Sequence, residues 1–455
     1  MSEMIYPDSV EKPTPANLPE FVPFACGQLR ASFTVLVQTK IQDEYVSKVE
    51  DKTKKLKKSV AVIQQKSSSE ELEPKSVVIE SDFDEDEIRI TAVTDTATQL
   101  VGVTINRCVE TPRLLLKIIG MCVPFCPYLR TLTLQRCNLT GPIVYEIAKF
   151  LPESQITDVN LDDSPIASAD RNYYLLVERP SKLRSLSLAR CSFANIDCEL
   201  LFAQLEHPHP ASKTLMTLDL SGNFISDTGA HIIGICLRSN RSLQYLNLSG
   251  NQITDDGAAH ILNSLIEFPL TADEIFRKKM RFMDYLRMKR SLYEKFYKEV
   301  STTIAGKNFD EFSKASKRKA PIQVLARGGS KELIATKAEM LTDELVGRYY
   351  DPFGIEETVY RDKYIYSIGN MSLCCLNLAY NNLSFLSIKK LLQLVKYQYN
   401  LSKHSGTGLL YVQVEGNNLP LCQETFVLQN WLEQAVLMRT MRMHPPKSPK
   451  GRGKK

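Results

Sequence analysis

Apolar residues recur along this chain in a fixed frame with polar positions between them. Leu215, Leu218 and Leu220 are followed by Asn223 and Ile225, and the same order returns 28 residues later as Leu243, Leu246, Leu248, Asn251 and Ile253. The pattern is L-x-x-L-x-L-x-x-N/C-x-L. After these copies come Asp227-Thr228-Gly229 and Asp255-Asp256-Gly257, each leading into a stretch apolar at helical spacing, Ile232 to Cys236 and Ile261 to Ile266. Upstream, in frame, lie Leu183, Leu186, Leu188, Cys191 and Phe193; then Ile156, Val159, Leu161, Ser164 and Ile166; then Leu129, Leu132, Leu134, Cys137 and Leu139. A capping copy begins at Leu100, Val103, Ile105 and Cys108. Beyond a long interruption are Leu373, Leu376, Leu378, Asn381 and Leu383, and finally Leu409, Val412, Val414, Asn417 and Leu419. Eight copies result, the first six spaced by 29, 27, 27, 32 and 28 residues.

The spacing has a physical reading. In a short strand the first, fourth and sixth apolar residues of each copy turn inward, and the Asn or Cys at the ninth position satisfies backbone groups where the chain leaves the strand. The following helix closes the turn on the other side. One copy cannot bury its apolar face alone, so stacked copies make a continuous core. The pattern predicts an α/β fold: a leucine-rich-repeat solenoid, or horseshoe, of the long-repeat class typified by ribonuclease inhibitor. Parallel strands line its concave face and helices its convex face.

Other segments depart from the frame. Residues 1–75 read as mostly disordered, rich in Pro early and carrying Lys52, Lys54, Lys55, Lys57 and Lys58, with one marginal strand or helix near Phe33 to Gln38. Residues 76–268 hold the cap and five repeats. An acidic block from Glu80 to Glu87 opens that region before a cap strand at Ile88-Arg89-Ile90. Residues 269–371 form a basic helical insertion. Its first part, Ala272 to Val300, lacks Gly and Pro and has Phe276, Met280, Met283, Leu286, Tyr293 and Phe296 at helical intervals. From Gly306 to Gly329 the chain loosens, and it regains aromatic content from Tyr349 to Tyr366. Residues 372–438 hold two further repeats and a C-terminal cap, and residues 439–455 a disordered basic tail.

Composition changes the picture only through where charge sits. The 455 residues are 43% hydrophobic and 24% charged, with net charge +5. Residues 271–320 hold 14 Lys or Arg against 7 Asp or Glu, and residues 439–455 hold 7 against none, which leaves the rest of the chain at −9. The weak average therefore hides an acidic repeat region with two basic appendages. Docking of the insertion on the chain's own concave face is one consequence of that separation. No run of about 18 apolar residues predicts a membrane span. The proline-rich start with no apolar run, and eleven scattered cysteines, predict a cytoplasmic chain without a disulfide framework.

The sequence offers no constellation for catalysis. It contains no G-x-x-x-x-G-K-[ST], H-E-x-x-H, G-x-S-x-G or G-x-G-x-x-G. Cys122 and Cys126, Cys374 and Cys375, and Cys137 and Cys191 read as core or repeat cysteines. His207 and His209, between prolines, read as loop residues, and His231 and His260 as helix-surface residues. No enzyme activity, cofactor or metal is expected.

Function then falls to surfaces. The repeat frame places 24 side chains on the concave strand face, of which four are acidic and none is Lys or Arg. A face without cations suits a protein ligand rather than a phosphate backbone. Its candidate contacts are Asp158, Asn160, Asp162, Thr217, Asp219, Tyr245, Asn247, Asn377, Tyr411, Gln413 and Glu415, with the two tyrosines as anchors. A second candidate set would bind an acidic partner. It comprises Arg277, Lys278, Lys279, Arg281, Arg287, Lys289 and Arg290 in the insertion, and Lys447, Lys450, Arg452, Lys454 and Lys455 in the tail.

The run Asn240-Arg241-Ser242-Leu243 through Asn251 to Ala258, the exit Phe268-Pro269-Leu270-Thr271-Ala272-Asp273-Glu274, and the late Val395-Lys396-Tyr397-Gln398-Tyr399 and Gly408-Leu409-Leu410-Tyr411 resemble the leucine-rich repeat-containing protein 71 family. The shared order is five repeats, a basic insertion and two final repeats, over roughly residues 129–419. The resemblance implies a non-enzymatic scaffold of ciliated or flagellated cells, within the axoneme, and carries over no catalytic residue. Tubulin is the acidic surface such a setting offers. Two alternatives are a Ran-type GTPase activator, against which the basic tail argues, and a ubiquitin-ligase substrate receptor, for which residues 1–74 show no F-box-like helical segment.

Overall fold

A computed structural model of the chain describes residues 12–42, 87–166, 172–312, 329–402, 408–419 and 423–443. The chain divides into two compact units, residues 1–266 with 369–455, and residues 267–368.

In the first unit each leucine frame becomes a strand. The sheet has ten strands, ordered β1 (Thr34–Ile41), β2 (Glu87–Thr94), β3 (Leu100–Asn106), β4 (Thr131–Gln135), β5 (Asp158–Asn160), β6 (Ser185–Ser187), β7 (Thr217–Asp219), β8 (Tyr245–Asn247), then Cys375–Asn377 and Tyr411–Gln413. From β3 onward every neighbour is parallel and in one register: Thr131, Asp158, Ser185, Thr217, Tyr245, Cys375 and Tyr411 share a rung. The inward leucines of the frame are buried, as are the apolar faces of the helices Gly141–Phe150, Asn195–Leu205, Asp227–Ser239 and Asp255–Ser264. The fold is an α/β leucine-rich-repeat solenoid.

The ninth position of each frame ties one repeat to the next. Asn223 Oδ1 accepts from the backbone N–H groups of Cys191 (2.9 Å) and Phe193 (3.0 Å), while its Nδ2 donates to the carbonyls of Leu188 and Leu220, both at 2.9 Å. Asn251 accepts from Ile225 and donates to Leu220 and Leu248, and Asn417 bonds Asn381, Leu383, Leu378 and Val414 in the same way. Where the frame carries Ser164, its hydroxyl accepts from Cys137 N–H and donates to the Leu134 carbonyl, each at 3.0 Å. Cys191 in this position turns its thiol to the Leu161 carbonyl, 3.1 Å away, and burial pushes that thiol up to about 12. A buried backbone group left unpaired costs about 1–3 kcal/mol, so each asparagine, with three or four such bonds, holds its turn strongly.

The ladder passes over the interruption. β8 pairs with Cys375–Asn377 as if the repeats were consecutive, and Asn381 Oδ1 accepts from Ile253 N–H at 3.1 Å across 128 residues of chain. The two ends meet closely: Asn370 N–H donates to the Ser264 carbonyl at 2.9 Å. Gly369 sits there at φ +90°, and a Cβ on it would lie 2.7 Å from the carbonyl oxygens of Leu265 and Ile266, so only glycine fits.

The amino-terminal region departs from the sequence reading. Residues 12–42 form the helix Leu18–Gln28, which buries Leu18, Val22, Ala25 and Cys26, and the strand β1, which pairs in parallel with β2. The marginal element near Phe33 is thus a full strand. Its partner is 53 residues away in sequence, and half-buried Val35 and Val37 alternate with exposed positions, a weak signal for a single strand. β2 contains Ile88-Arg89-Ile90 and runs antiparallel to β3. At the other end the helix Gln423–Met443 enters what was read as tail from residue 439. The cluster Lys52 to Lys58, Glu80 to Asp86 of the acidic block, most of the loosened stretch, and residues 444–455 lie outside the described residues.

The second unit contains the helices Ala272–Phe312 and Gly329–Val346 and a three-stranded sheet of Phe268–Pro269, Tyr364–Ser367 and Thr358–Arg361. The first helix is longer than its sequence pattern suggested. Phe276, Met280, Met283 and Leu286 on it are exposed by 62%, 40%, 46% and 42%, so this stripe is not a buried face. Phe268, Leu270 and Phe353 make a small core. Beside Phe353 lies an ion pair: Arg281 donates from Nε and a terminal nitrogen to both oxygens of Asp351, at 2.7 and 3.1 Å. Asp351 also accepts from Tyr349 Oη and Phe353 N–H.

Burial alone raises the Asp351 carboxyl, but the bonds from Arg281, Phe353 and Tyr349 outweigh it and hold it below the usual range. A depressed carboxyl adds stability above its unfolded pKa, and that stability is lost as pH falls through the folded value. The second unit should therefore lose amide protection below about pH 4. Arg281→Met, which orphans a carboxylate whose side chain is 0% exposed, should destabilise this unit by about 3–5 kcal/mol at pH 7, read by hydrogen exchange at residues 267–303. Adding Asp351→Asn should recover part of that loss; unchanged protection in the single variant would contradict the pair's role.

Candidate protein-binding face

The strand face brings the predicted contacts together. Asp158, Thr217 and Tyr245 share the first rung with Tyr411, and Asn160, Asp219, Asn247, Asn377 and Gln413 share the third. Neighbouring strands stand about 4.8 Å apart, so side chains on one rung touch their neighbours in line. Tyr411 is half exposed and Tyr245 partly buried, its hydroxyl pushed up by burial and by Asp219. These two rings border the Cys375 rung between them, giving an apolar patch at the carboxyl-terminal end of the sheet.

Acidic residues occupy the middle of the face and are held in place by their neighbours. Asp162 accepts from Asn160 Nδ2 at 3.0 Å, from Ser187 Oγ and from Ala189 N–H. Asp219 accepts from Ser221 Oγ at 2.6 Å and from Asn247 Nδ2 at 2.8 Å. Asn247 is consequently only 8% exposed, and its amide is turned to Asp219 rather than outward. As an open contact residue it is corrected: one strand away from a carboxylate on the same rung, its amide finds a partner inside the sheet.

Just past the strands runs a second ladder that the sequence reading missed. Arg107, Arg136, Asp163, Arg190, Gly222, Gly250, Tyr380 and Gly416 all have positive φ, one from each repeat. Asp163 is bridged by Arg190, whose Nη2 lies 2.9 Å from Oδ2, and Arg136 Nε lies 3.8 Å away. The hydrogen bond from Arg190 holds the Asp163 carboxyl below its ordinary range. The glycines of the two most regular copies were the signal, since a residue at their position must take the left-handed conformation in every copy.

The cationic candidates fare differently from one another. Arg281 is only 15% exposed and committed to Asp351, so as a docking residue it is corrected: it builds the second unit's interior. Arg287 pairs with Asp284 at 3.0 Å, Lys289 with Asp343 at 2.7 Å and Arg290 with Glu294 at 3.0 Å. Arg277 and Lys279 are exposed and Lys278 partly so. Lys447, Lys450, Arg452, Lys454 and Lys455 lie outside the described residues.

The remaining chemistry is structural. Among the described residues ten cysteines stand outside any disulfide, nine of them buried, and burial pushes Cys122 up to about 12 and Cys137 to about 11. His231 and His260, on successive helices, meet edge to face with Nδ1 atoms 3.0 Å apart. Among the described residues no three His, Cys, Asp or Glu side chains gather to hold a metal ion, and no helix is long and apolar enough to cross a membrane.

Residues 211–231 and 239–262 match the family described as Leucine Rich repeat, and these two segments contain β7 and β8 and reach into the helices that follow them. No curated protein matches the chain. The matched copies are the two most regular in the sequence, and the same register runs through their neighbours on both sides. The matched segments are leucine-rich repeats, set in an α/β leucine-rich-repeat solenoid.

Proposed function

We propose that this protein is a non-enzymatic scaffold that holds a polypeptide partner on its strand face. The observation that carries the reading is the in-register face itself: small polar side chains, carboxylates fixed at Asp162 and Asp219, and the partly buried ring of Tyr245 with the half-exposed ring of Tyr411 at one end. Fixed polar groups beside aromatic anchors give a partner contact area at low ordering cost. A photo-crosslinking residue placed at Tyr245 or Tyr411 in living cells should yield one discrete polypeptide adduct. Placed at Tyr145, on the helix Gly141–Phe150, it should yield none. Equal adducts from all three positions would contradict the assignment of the face.

The second part of the proposal concerns Arg277, Lys278 and Lys279, with Phe276 and Met280 exposed beside them, and the basic tail. We assign these to an acidic surface, and, on the resemblance to the leucine-rich repeat-containing protein 71 family, to tubulin in a cilium or flagellum. Replacing the three cations by glutamine and removing residues 444–455 should abolish salt-sensitive sedimentation with microtubules. Sedimentation that is unchanged at low salt would contradict this part.

A further inference from the structure

The strand face carries no cation, yet cations stand immediately before it. From β4 on, the residue preceding each strand joins a ladder of backbone hydrogen bonds that starts at Val101 within β3 and runs through Arg130, Thr157, Arg184, Met216, Gln244 and Cys374. Arg130 and Arg184 are thus two strands apart, about 10 Å at the usual spacing, with Thr157 between them. Both are exposed, and together with Lys182, Lys213 and Asp158 they line an open cavity of about 690 Å3. Lys182 Nζ donates to Gln155 Oε1, which keeps it on that rim. Thr157 Oγ1 donates to Asp158 Oδ2 at 2.6 Å, so the one carboxylate at the cavity already has a partner. Among the described residues no carboxylate lies within ion-pair distance of the side chains of Arg130, Lys182, Arg184 or Lys213.

Four unpaired cations around one cavity repel each other unless an anion joins them. Two guanidinium groups flanking one point present forks that a phosphoryl group, with three acceptor oxygens and nearly two negative charges, satisfies at once. A single carboxylate satisfies one fork. The extent of the ladder decides between isolated and repeated phosphates. Beyond Arg130 it continues with Val101, and beyond Arg184 with Met216, Gln244 and Cys374, so the positive strip ends after three rungs. A nucleic-acid backbone needs cations spaced along its length; this site offers one position. We propose that this cavity binds a phosphorylated side chain of a polypeptide partner. The proposal goes beyond the strand-face reading and does not rest on it.

The test uses the full chain and a fluorescent pool of peptides with a fixed central phosphoserine and random flanks, alongside the same pool with serine or glutamate and an oligothymidine of matched length. The phosphoserine pool should bind at least about tenfold more tightly than the serine pool, as charge-assisted bidentate contacts require. Arg130→Ala with Arg184→Ala should weaken that binding at least tenfold, while Lys117→Ala, on the helix Arg113–Cys122, leaves it unchanged. Circular dichroism melting of the double variant should match that of the unaltered protein. Because both arginines are exposed, their loss leaves the core intact; Arg130→Lys with Arg184→Lys, which keeps charge without the fork, should give intermediate affinity. Equal binding of the serine and phosphoserine pools, phosphoserine binding indifferent to both double variants, or tighter binding of oligothymidine than of the phosphoserine pool would each overturn the proposal.

Discussion

The first unit depends on a buried side chain hydrogen-bonding backbone at the turn out of each strand. A solenoid of short strands has a recurring difficulty. Strands three residues long, such as β5 to β8, make few ladder bonds, and the chain must then bend away with its N–H and C=O groups still unpaired. Asn223, Asn251, Asn381 and Asn417 solve this by donating to two carbonyls and accepting from one or two N–H groups of the repeat before. One donated bond stays within the repeat, to the carbonyl three residues back, while the other and the accepted bonds cross to its neighbour. The asparagine therefore sets the register, and the register in turn puts every outward side chain into line with its counterparts.

Function follows from that alignment because neighbouring rungs bring like positions together. On the strand face the aligned positions hold carboxylates and amides that bond one another, which fixes Asp162 and Asp219 but withdraws Asn247. One residue earlier the aligned positions hold Arg130 and Arg184 around Thr157. A few residues later they hold Arg136 and Arg190 around Asp163, which pairs with Arg190 and lies 3.8 Å from Arg136. Three parallel ladders thus have three electrostatic characters within one set of repeats. The difference between the last two is a single residue: threonine between arginines leaves both without a counter-charge, and aspartate between arginines supplies one.

Much of the fold was legible because the asparagine and leucine frame is periodic and its chemistry local. Eight copies, their register and the resumption at Leu373 could be read from residues alone. What escaped has a physical reason in each case. β1 was faint because its partner strand lies far along the chain and one of its faces is exposed. The apolar stripe Phe276, Met280 and Met283 has helical spacing, but spacing does not say what covers a face. Arg281 looked like its cationic neighbours because the aspartate that holds it lies 70 residues downstream. Arg130 and Arg184 escape a strand face that begins at the first strand residue, because each stands one position before it. Which positions share the strand face is legible in the repeat frame; which of them are open depends on hydrogen-bond partners such as Asp219 for Asn247.

The most direct test removes the interruption. The asparagine ladder joins β8 to the strand Cys375–Asn377 without help from residues 267–368, and Ser264 and Asn370 are already hydrogen-bonded, so a short glycine linker can close the chain between Ile266 and Gly369. Native-state hydrogen exchange on that shortened protein should show Leu248, Gly250 and Ile253 as protected as in the full chain, since their N–H groups donate to Asn377, Ala379 and the Asn381 side chain. Loss of protection at these three amides, with β4 to β7 still protected, would contradict the account.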